Sequence, residues 1–272
     1  MRPIMPILLD GYDSIYSGPH LVLIRPEWRP FLLEDILADF EEIPVGDRTG
    51  FRGRVEHFSY QPAGAPGRVL VRELARGGLA RFAGNIHLGM RRILRELHAV
   101  LRARRAGLNV PEIVACRATH AFGPFHRFTL VVREIAGARD LLALARETAP
   151  ARHRQIIADV AGEVRRMHEA GLYHGDLNVK NILLQGSAVY FIDLDRAILR
   201  MARDPGLDAA NLSRLNRSVE KWLRTRVSRV DRLRFLFSYS KDRERIRDLA
   251  RRCGAGLWFH RFWWSLTGAA AK

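Results

Sequence analysis

The chain is poor in cysteine, with two thiols in 272 residues, Cys116 and Cys253, and no C-x-x-C spacing. A disulfide framework and a thiolate zinc site are therefore excluded as organising features, and reduced thiols are expected. Long apolar runs are also missing. No stretch approaches the roughly 20 residues that span a bilayer. The opening Met1-Arg-Pro-Ile-Met-Pro-Ile-Leu-Leu-Asp10 is broken by two prolines and has no small-residue cleavage site, so a signal peptide is not expected. Acidic residues are scarce: 29 Asp and Glu against 45 Lys and Arg leave a formal charge of +16 and a pI of about 11.0. Such a field disfavours cationic substrates and attracts nucleic acid, anionic membrane or phosphorylated molecules. The excess is uneven, because residues 211–252 hold 14 Lys or Arg and 5 Asp or Glu, a net of +9.

With 47% hydrophobic residues the chain can bury one large core or two smaller ones. Its densest chemistry is His174-Gly-Asp-Leu-Asn-Val-Lys-Asn181-Ile-Leu-Leu, followed by Val189-Tyr-Phe-Ile-Asp193-Leu-Asp195. Asp176 and Asn181 stand five apart in a polar loop, and an apolar run then delivers Asp193. One carboxylate can accept a proton, while an amide oxygen and a second carboxylate suit Mg²⁺, an ion that prefers hard oxygen ligands. A solvated Asp/Asn turn before a strand is the plain alternative, but the five specified positions with apolar runs on both sides argue against it. The layout resembles the protein-kinase catalytic loop H-R-D-L-x-x-x-N and its D-F-G aspartate, with Gly175 replacing Arg and Leu194-Asp195 replacing Phe-Gly.

Periodicity predicts a strand over Leu21–Ile24 and a helix over Phe31–Phe40 in an N-terminal extension, residues 1–45, to which no chemistry attaches. Gly50 and Gly53 lie in a glycine-bearing turn that either cradles phosphates through backbone N–H groups or serves as an ordinary hairpin. Arg68–Leu74 alternates as a strand. Met90–Arg105 has helical spacing and carries Glu96, whose alternative role is a surface pair with a neighbouring arginine. Strands are expected at Ile113–Arg117 and Phe128–Ile135, and helices over Asp140–Glu147, Arg152–Ala170, Asn211–Arg224, Val230–Phe237 and Asp242–Cys253. His168 reads as structural or surface, and His174 as a residue that orients backbone. The terminal Gly256-Leu-Trp-Phe-His-Arg-Phe-Trp-Trp264 interleaves aromatic and basic residues, which fits a buried helix or an interfacial anchor.

Further blocks narrow the resemblance. Val69-Leu-Val-Arg-Glu-Leu-Ala-Arg-Gly-Gly-Leu79, Arg95-Glu96, Ala106-Gly-Leu-Asn-Val-Pro-Glu112 and Arg133-Glu-Ile-Ala-Gly-Ala-Arg-Asp-Leu141, together with the loop and Ile192-Asp-Leu-Asp-Arg196, resemble the bacterial lipopolysaccharide kinases, the Kdo and heptose kinases. That resemblance implies an α+β, two-lobed protein-kinase-like fold. Its N-lobe, 1–135, would hold a small antiparallel sheet and an αC helix; a compact, mainly helical C-lobe would occupy 136–272. It implies that Asp176 takes the proton of a sugar hydroxyl, that Asn181 and Asp193 hold Mg²⁺, and that Arg72, Glu96, Gly50 and Gly53 meet ATP phosphates. Backbone at Glu134 and Ala136 would pair with adenine. The implied reaction is ATP-dependent phosphorylation of a Kdo hydroxyl on Kdo-lipid A at the cytoplasmic side of the inner membrane, with an anionic membrane surface as partner and no nucleic acid. The loop also resembles aminoglycoside- and choline-type phosphotransferases, but their cationic substrates sit badly with +16. A protein Ser/Thr kinase would end its activation segment in Ala-Pro-Glu, which is missing after Asp193. An inactive kinase fold that binds lipid or nucleic acid is the reading from another class.

Overall fold

The computed structural model describes residues 9–40, 43, 49–51, 57–74, 85–147 and 150–253. They fall into two compact units, Met1–Leu94 with Pro111–Glu134 and Arg95–Val110 with Ile135–Lys272. The division differs from a single cut after residue 135, because Arg95–Val110 joins the second unit.

The first unit is built on an antiparallel sheet. Its strands are β1 (Asp13–Ser17), β2 (His20–Ile24), β3 (Thr49–Phe51), β4 (His57–Tyr60), β5 (Val69–Glu73), β6 (His87–Leu88), β7 (Ile113–Phe122) and β8 (Phe125–Arg133). They run in the order β1-β2-β7-β8-β5-β4-β3, with β6 also on β8. Residues 9–40 are not an extension. β2 pairs with β7 from His20↔Thr119 to Ile24↔Ala115, and helix α1 (Arg29–Leu37), entered through a 3-10 turn at Pro26–Trp28, covers the sheet. Trp28, Leu32 and Ile36 recur every fourth residue and share one core with Val22, Ile24, Val69, Val71 and Val131. Each such side chain contributes roughly 1.5–3 kcal/mol by leaving water. The helix stops at Leu37, short of the expected Phe40, because Asp39 and Phe40 take left-handed backbone angles. Arg117, in the middle of β7, is buried; it donates to the Ile36 carbonyl (2.8 Å) and to Thr129 Oγ1 (3.4 Å), and pairs with Asp39.

Helix α2 (Arg91–Arg105) matches its expected span closely. Leu108 N–H reaches the Ala103 carbonyl (3.0 Å) past a left-handed Gly107, the usual glycine stop of a helix. The second unit then holds β9 (Arg139–Asp140), α3 (Leu141–Glu147), α4 (Pro150–Glu169), β10 (Leu172–Tyr173), β11 (Ile182–Gln185), β12 (Ala188–Phe191), β13 (Ile198–Leu199), α5 (Pro205–Leu223) and α6 (Arg229–Tyr239), with 243–253 helical. α5 begins six residues before the expected Asn211, since Asp204 caps it by accepting from Gly206 N–H (2.8 Å) and Leu207 N–H (3.2 Å). α6 opens on a Ser228–Asp231 capping box. An apolar cavity of about 470 Å³, lined by Ile156, Leu212, Leu215, Leu236 and Cys253 among others, lies within these helices. Burial pushes the Cys253 thiol up, which makes it a poor nucleophile. Among the described residues no helix is long and apolar enough to cross a membrane. The aromatic segment after Cys253 lies outside the described residues.

Candidate active site

The loop between β10 and β11 and the turn after β12 are stitched together by one imidazole. His174 is fully buried; its Nε2 lies 2.8 Å from the Ile192 carbonyl and its Nδ1 accepts from Asp176 N–H at 3.1 Å. A carbonyl only accepts, so Nε2 carries the proton and the ring is neutral. Burial holds its pKa below the ordinary histidine value, with the Ile192 bond opposing. Protonation would turn Nδ1 into a donor facing a donor. His174 therefore orients Asp176 and the residue before Asp193, and is not itself an acid or base.

The remaining bonds fold the loop onto itself. Asn181 Nδ2 donates to the Asp176 carbonyl (3.0 Å), Asn181 N–H to the Asn178 carbonyl (3.1 Å), and Ile192 N–H to the Asn181 carbonyl (3.1 Å). Asp176, Asn181 and Asp193 are thus linked through short hydrogen-bonded steps. Because the amide nitrogen of Asn181 is spent on a carbonyl, its Oδ1 is the end left to act as a ligand. Asp176 is exposed, and Asn181 and Asp193 are half-buried. Asp193 has φ +65, a backbone state that non-glycine residues adopt at a cost and that gathers at functional sites. Gly175 has no room for a side chain: a Cβ there would fall inside the Arg196 carbonyl and side chain. The arginine of the protein-kinase pattern is therefore excluded on packing grounds.

Helix α5 holds the loop from beneath. Asn211 Oδ1 accepts from His174 N–H (2.9 Å) and Ser218 Oγ from Val179 N–H (3.1 Å), two turns apart on one buried face. Neither was anticipated from the sequence, although a polar residue on an otherwise apolar stripe (Leu212, Leu215, Leu223) was the available signal. Asn211 leads to a buried network. Its Oδ1 lies 3.4 Å from His168 Nε2; His168 Nδ1 lies 2.8 Å from the Tyr239 hydroxyl, which accepts from Arg203 at 2.7 Å. Fully buried Asp208 sits among them, 2.9 Å from Arg203 Nε, 3.3 Å from His168 and paired with Arg245. Desolvation pushes His168 down to about 4 against the pull of Asp208, so the ring is neutral. His168 is structural and buried, which removes the surface reading.

A family model described as "Lipopolysaccharide kinase (Kdo/WaaP) family" matches residues 53–239. A 3-deoxy-D-manno-octulosonic acid kinase of Vibrio vulnificus (strain YJ016) is 31% identical over 218 residues, 77% of this chain and 84% of that protein. The chain belongs to the lipopolysaccharide kinase family. A kinase of the same description from Haemophilus influenzae is 32% identical over 132 residues, 46% of this chain and 53% of its own length. A solved structure titled "WaaP in complex with acyl carrier protein" covers 90% of this chain and 99% of its own with a TM-score of 0.60 and 23% identity, which establishes the α+β kinase-like fold.

The other expected residues of this lipopolysaccharide kinase are placed as follows. Gly50 lies within strand β3, opposite Phe58, and Gly53 lies outside the described residues. Arg72 sits on β5 between His57 and Leu130 in the first unit. Glu96, on α2 in the second unit, is 1% exposed, which rules out the surface-pair alternative. Glu134 is engaged within its own unit: its carboxylate accepts from Ser59 and from Arg68 Nε (3.2 Å), and its N–H donates to the Arg68 carbonyl (3.0 Å). The Ala136 carbonyl accepts from Gln185 Nε2 (2.7 Å). These bonds engage the Glu134 N–H and one lone pair of the Ala136 carbonyl, groups expected to meet adenine. Lys180 Nζ stands 4.1 Å from the centre of the Trp222 ring. Asn178 bridges the loop, donating to the Asp176 carbonyl (3.0 Å) and accepting from Lys180 N–H (2.9 Å).

Proposed function

We propose that the protein transfers the γ-phosphoryl group of ATP to a Kdo hydroxyl of the lipopolysaccharide inner core, on Kdo-lipid A. The observation that carries this reading is the His174 bridge, which gathers Asp176, Asn181 and Asp193 in a member of a lipopolysaccharide kinase family. Asp176 accepts the hydroxyl proton as the sugar oxygen bonds to the γ-phosphorus, and ADP departs with the electrons of the broken P–O bond. Phosphoryl transfer asks the protein chiefly for positioning and charge neutralisation, and a loop with its amides tied to buried side chains supplies the first. Asn181 Oδ1 and the Asp193 carboxylate form an all-oxygen donor pair that fits Mg²⁺, which keeps waters and phosphates as its other ligands. When bound, that ion neutralises charge on the phosphates. Arg72 and Glu96 act on the nucleotide in this reading, and Arg72→Ala raises the KM for ATP.

The test is Asp176→Asn, which cannot accept the proton. Transfer of labelled phosphate from ATP to Kdo-lipid A falls about a thousandfold, the scale of general-base assistance, with an unchanged melting curve. Turnover within tenfold of wild type would remove Asp176 from this role. The same reading places the protein on the anionic cytoplasmic face of the inner membrane, supported by the net +9 of residues 211–252. Sedimentation with anionic liposomes, before and after deletion of 256–272, tests the aromatic segment as an anchor; equal recovery in the supernatant counts against it.

A further inference from the structure

Two ammonium groups meet at one indole beside the catalytic loop. Lys180 Nζ lies 4.1 Å and Lys221 Nζ 4.9 Å from the centre of the Trp222 ring. Both partners are tied to the reacting residues. Lys180 follows Asp176 by four positions in a loop that Asn178 closes from both sides. Val179, its neighbour, donates to Ser218, one turn before Trp222 on α5. The loop and the end of the helix are therefore held in register, and the lysine cluster is held with them.

An aromatic face stabilises one cation over it by about 0.5–1 kcal/mol at an exposed site. A second ammonium near the same ring concentrates positive charge there, which attracts an anion. Neither lysine pairs with a carboxylate of the described residues, and the adjacent Glu220 is taken by Arg232 (2.6 Å) and Arg224 (3.6 Å). Lys180 is exposed, while Lys221 and Trp222 are half-buried, so the cluster opens to solvent and is accessible to a substrate.

We infer that Lys180, Lys221 and Trp222 form a subsite for the carboxylate of the acceptor sugar, the indole holding the two ammonium groups. This rests on the acceptor proposed above. A carboxylate is favoured over a lipid phosphate because Lys180 shares a tightly closed loop with Asp176. The anion it meets then belongs to the same ring as the reacting hydroxyl, and an octulosonic acid carries its carboxylate there.

Steady-state transfer from ATP is measured for wild type, Lys221→Gln and Lys221→Arg. The acceptors are Kdo-lipid A, the same molecule with its Kdo carboxylate converted to the primary amide, and a dephosphorylated lipid A version. Lys221→Gln raises KM for Kdo-lipid A about five- to tenfold, the loss falling on KM and not on kcat; Lys221→Arg retains most of the affinity. The amide acceptor binds wild type and Lys221→Gln equally, and removing the lipid phosphates leaves the effect of Lys221→Gln in place. An unchanged KM in Lys221→Gln, an equal loss on the amide, or disappearance of the effect with the dephosphorylated acceptor overturns the subsite. Wild-type protein that transfers no phosphate to Kdo-lipid A overturns the proposed reaction itself, a result distinct from the other three.

Discussion

Each unit buries a cation–carboxylate centre, and the two differ in what they are tied to. In the first, Arg117 is the buried partner and Asp39 keeps 59% of its side chain exposed; its bonds end on the last turn of α1 and on Thr129. In the second, Asp208 is the buried partner, 0% exposed, between Arg203 and Arg245. From there hydrogen bonds lead through Tyr239, His168 and Asn211 to the backbone of His174. The first centre braces a helix end against a sheet. The second fixes the geometry of the loop proposed to react, so a defect in it is expected to reach turnover as well as stability.

Breaking the second centre has the larger effect. Asp208→Leu leaves two guanidinium groups without their anion and costs about 3–5 kcal/mol, the range for breaking a buried pair, read by urea unfolding. Its folded fraction also turns over at least tenfold more slowly, about the effect of misplacing a catalytic loop. Next comes pH. His168 binds its proton at about 4 in the fold and at the ordinary 6.5 when unfolded. The unfolded chain therefore holds more protons between those values. Stability is full above pH 6.5 and declines as pH falls toward 4, by roughly 3 kcal/mol from this group. His168→Gln flattens that part of the stability profile; an unaltered acid limb would show that the ring does not titrate as described. In the first unit, Arg117→Met strands the Ile36 carbonyl but lets Asp39 turn to water, a loss of about 2 kcal/mol. Turnover per folded molecule holds, and a slowing like that of Asp208→Leu would erase the distinction between the centres. The smallest effect is that of Ser218→Ala, about 1 kcal/mol, with kcat reduced and the KM for ATP little changed.

The closure of the loop from His174 to Asp193 was legible because it lies in twenty consecutive residues and needs only local bonds, as those of His174 and Asn181 show. The helices were legible from their stripes, with ends misjudged where a cap such as Asp204 set them. Within residues 9–40 the strand and the helix were legible, but their place in the sheet was not, because the partner of β2, β7, lies about a hundred residues later and nothing local announces that pairing. Asn211 and Ser218 were missed for a related reason. A polar side chain on an apolar stripe looks like an imperfection until the amide it meets, more than thirty residues earlier, is known. The Lys180–Trp222–Lys221 cluster likewise joins a loop to a helix some forty residues apart.

The left-handed backbone at Asp193 makes this position unusually forgiving of one replacement. Glycine occupies φ +65 without penalty, so Asp193→Gly deletes the carboxylate while sparing the chain any rerouting, whereas valine would force the turn open. The glycine variant keeps the course of the backbone and loses only the carboxylate, so it separates what that carboxylate does from what the turn does.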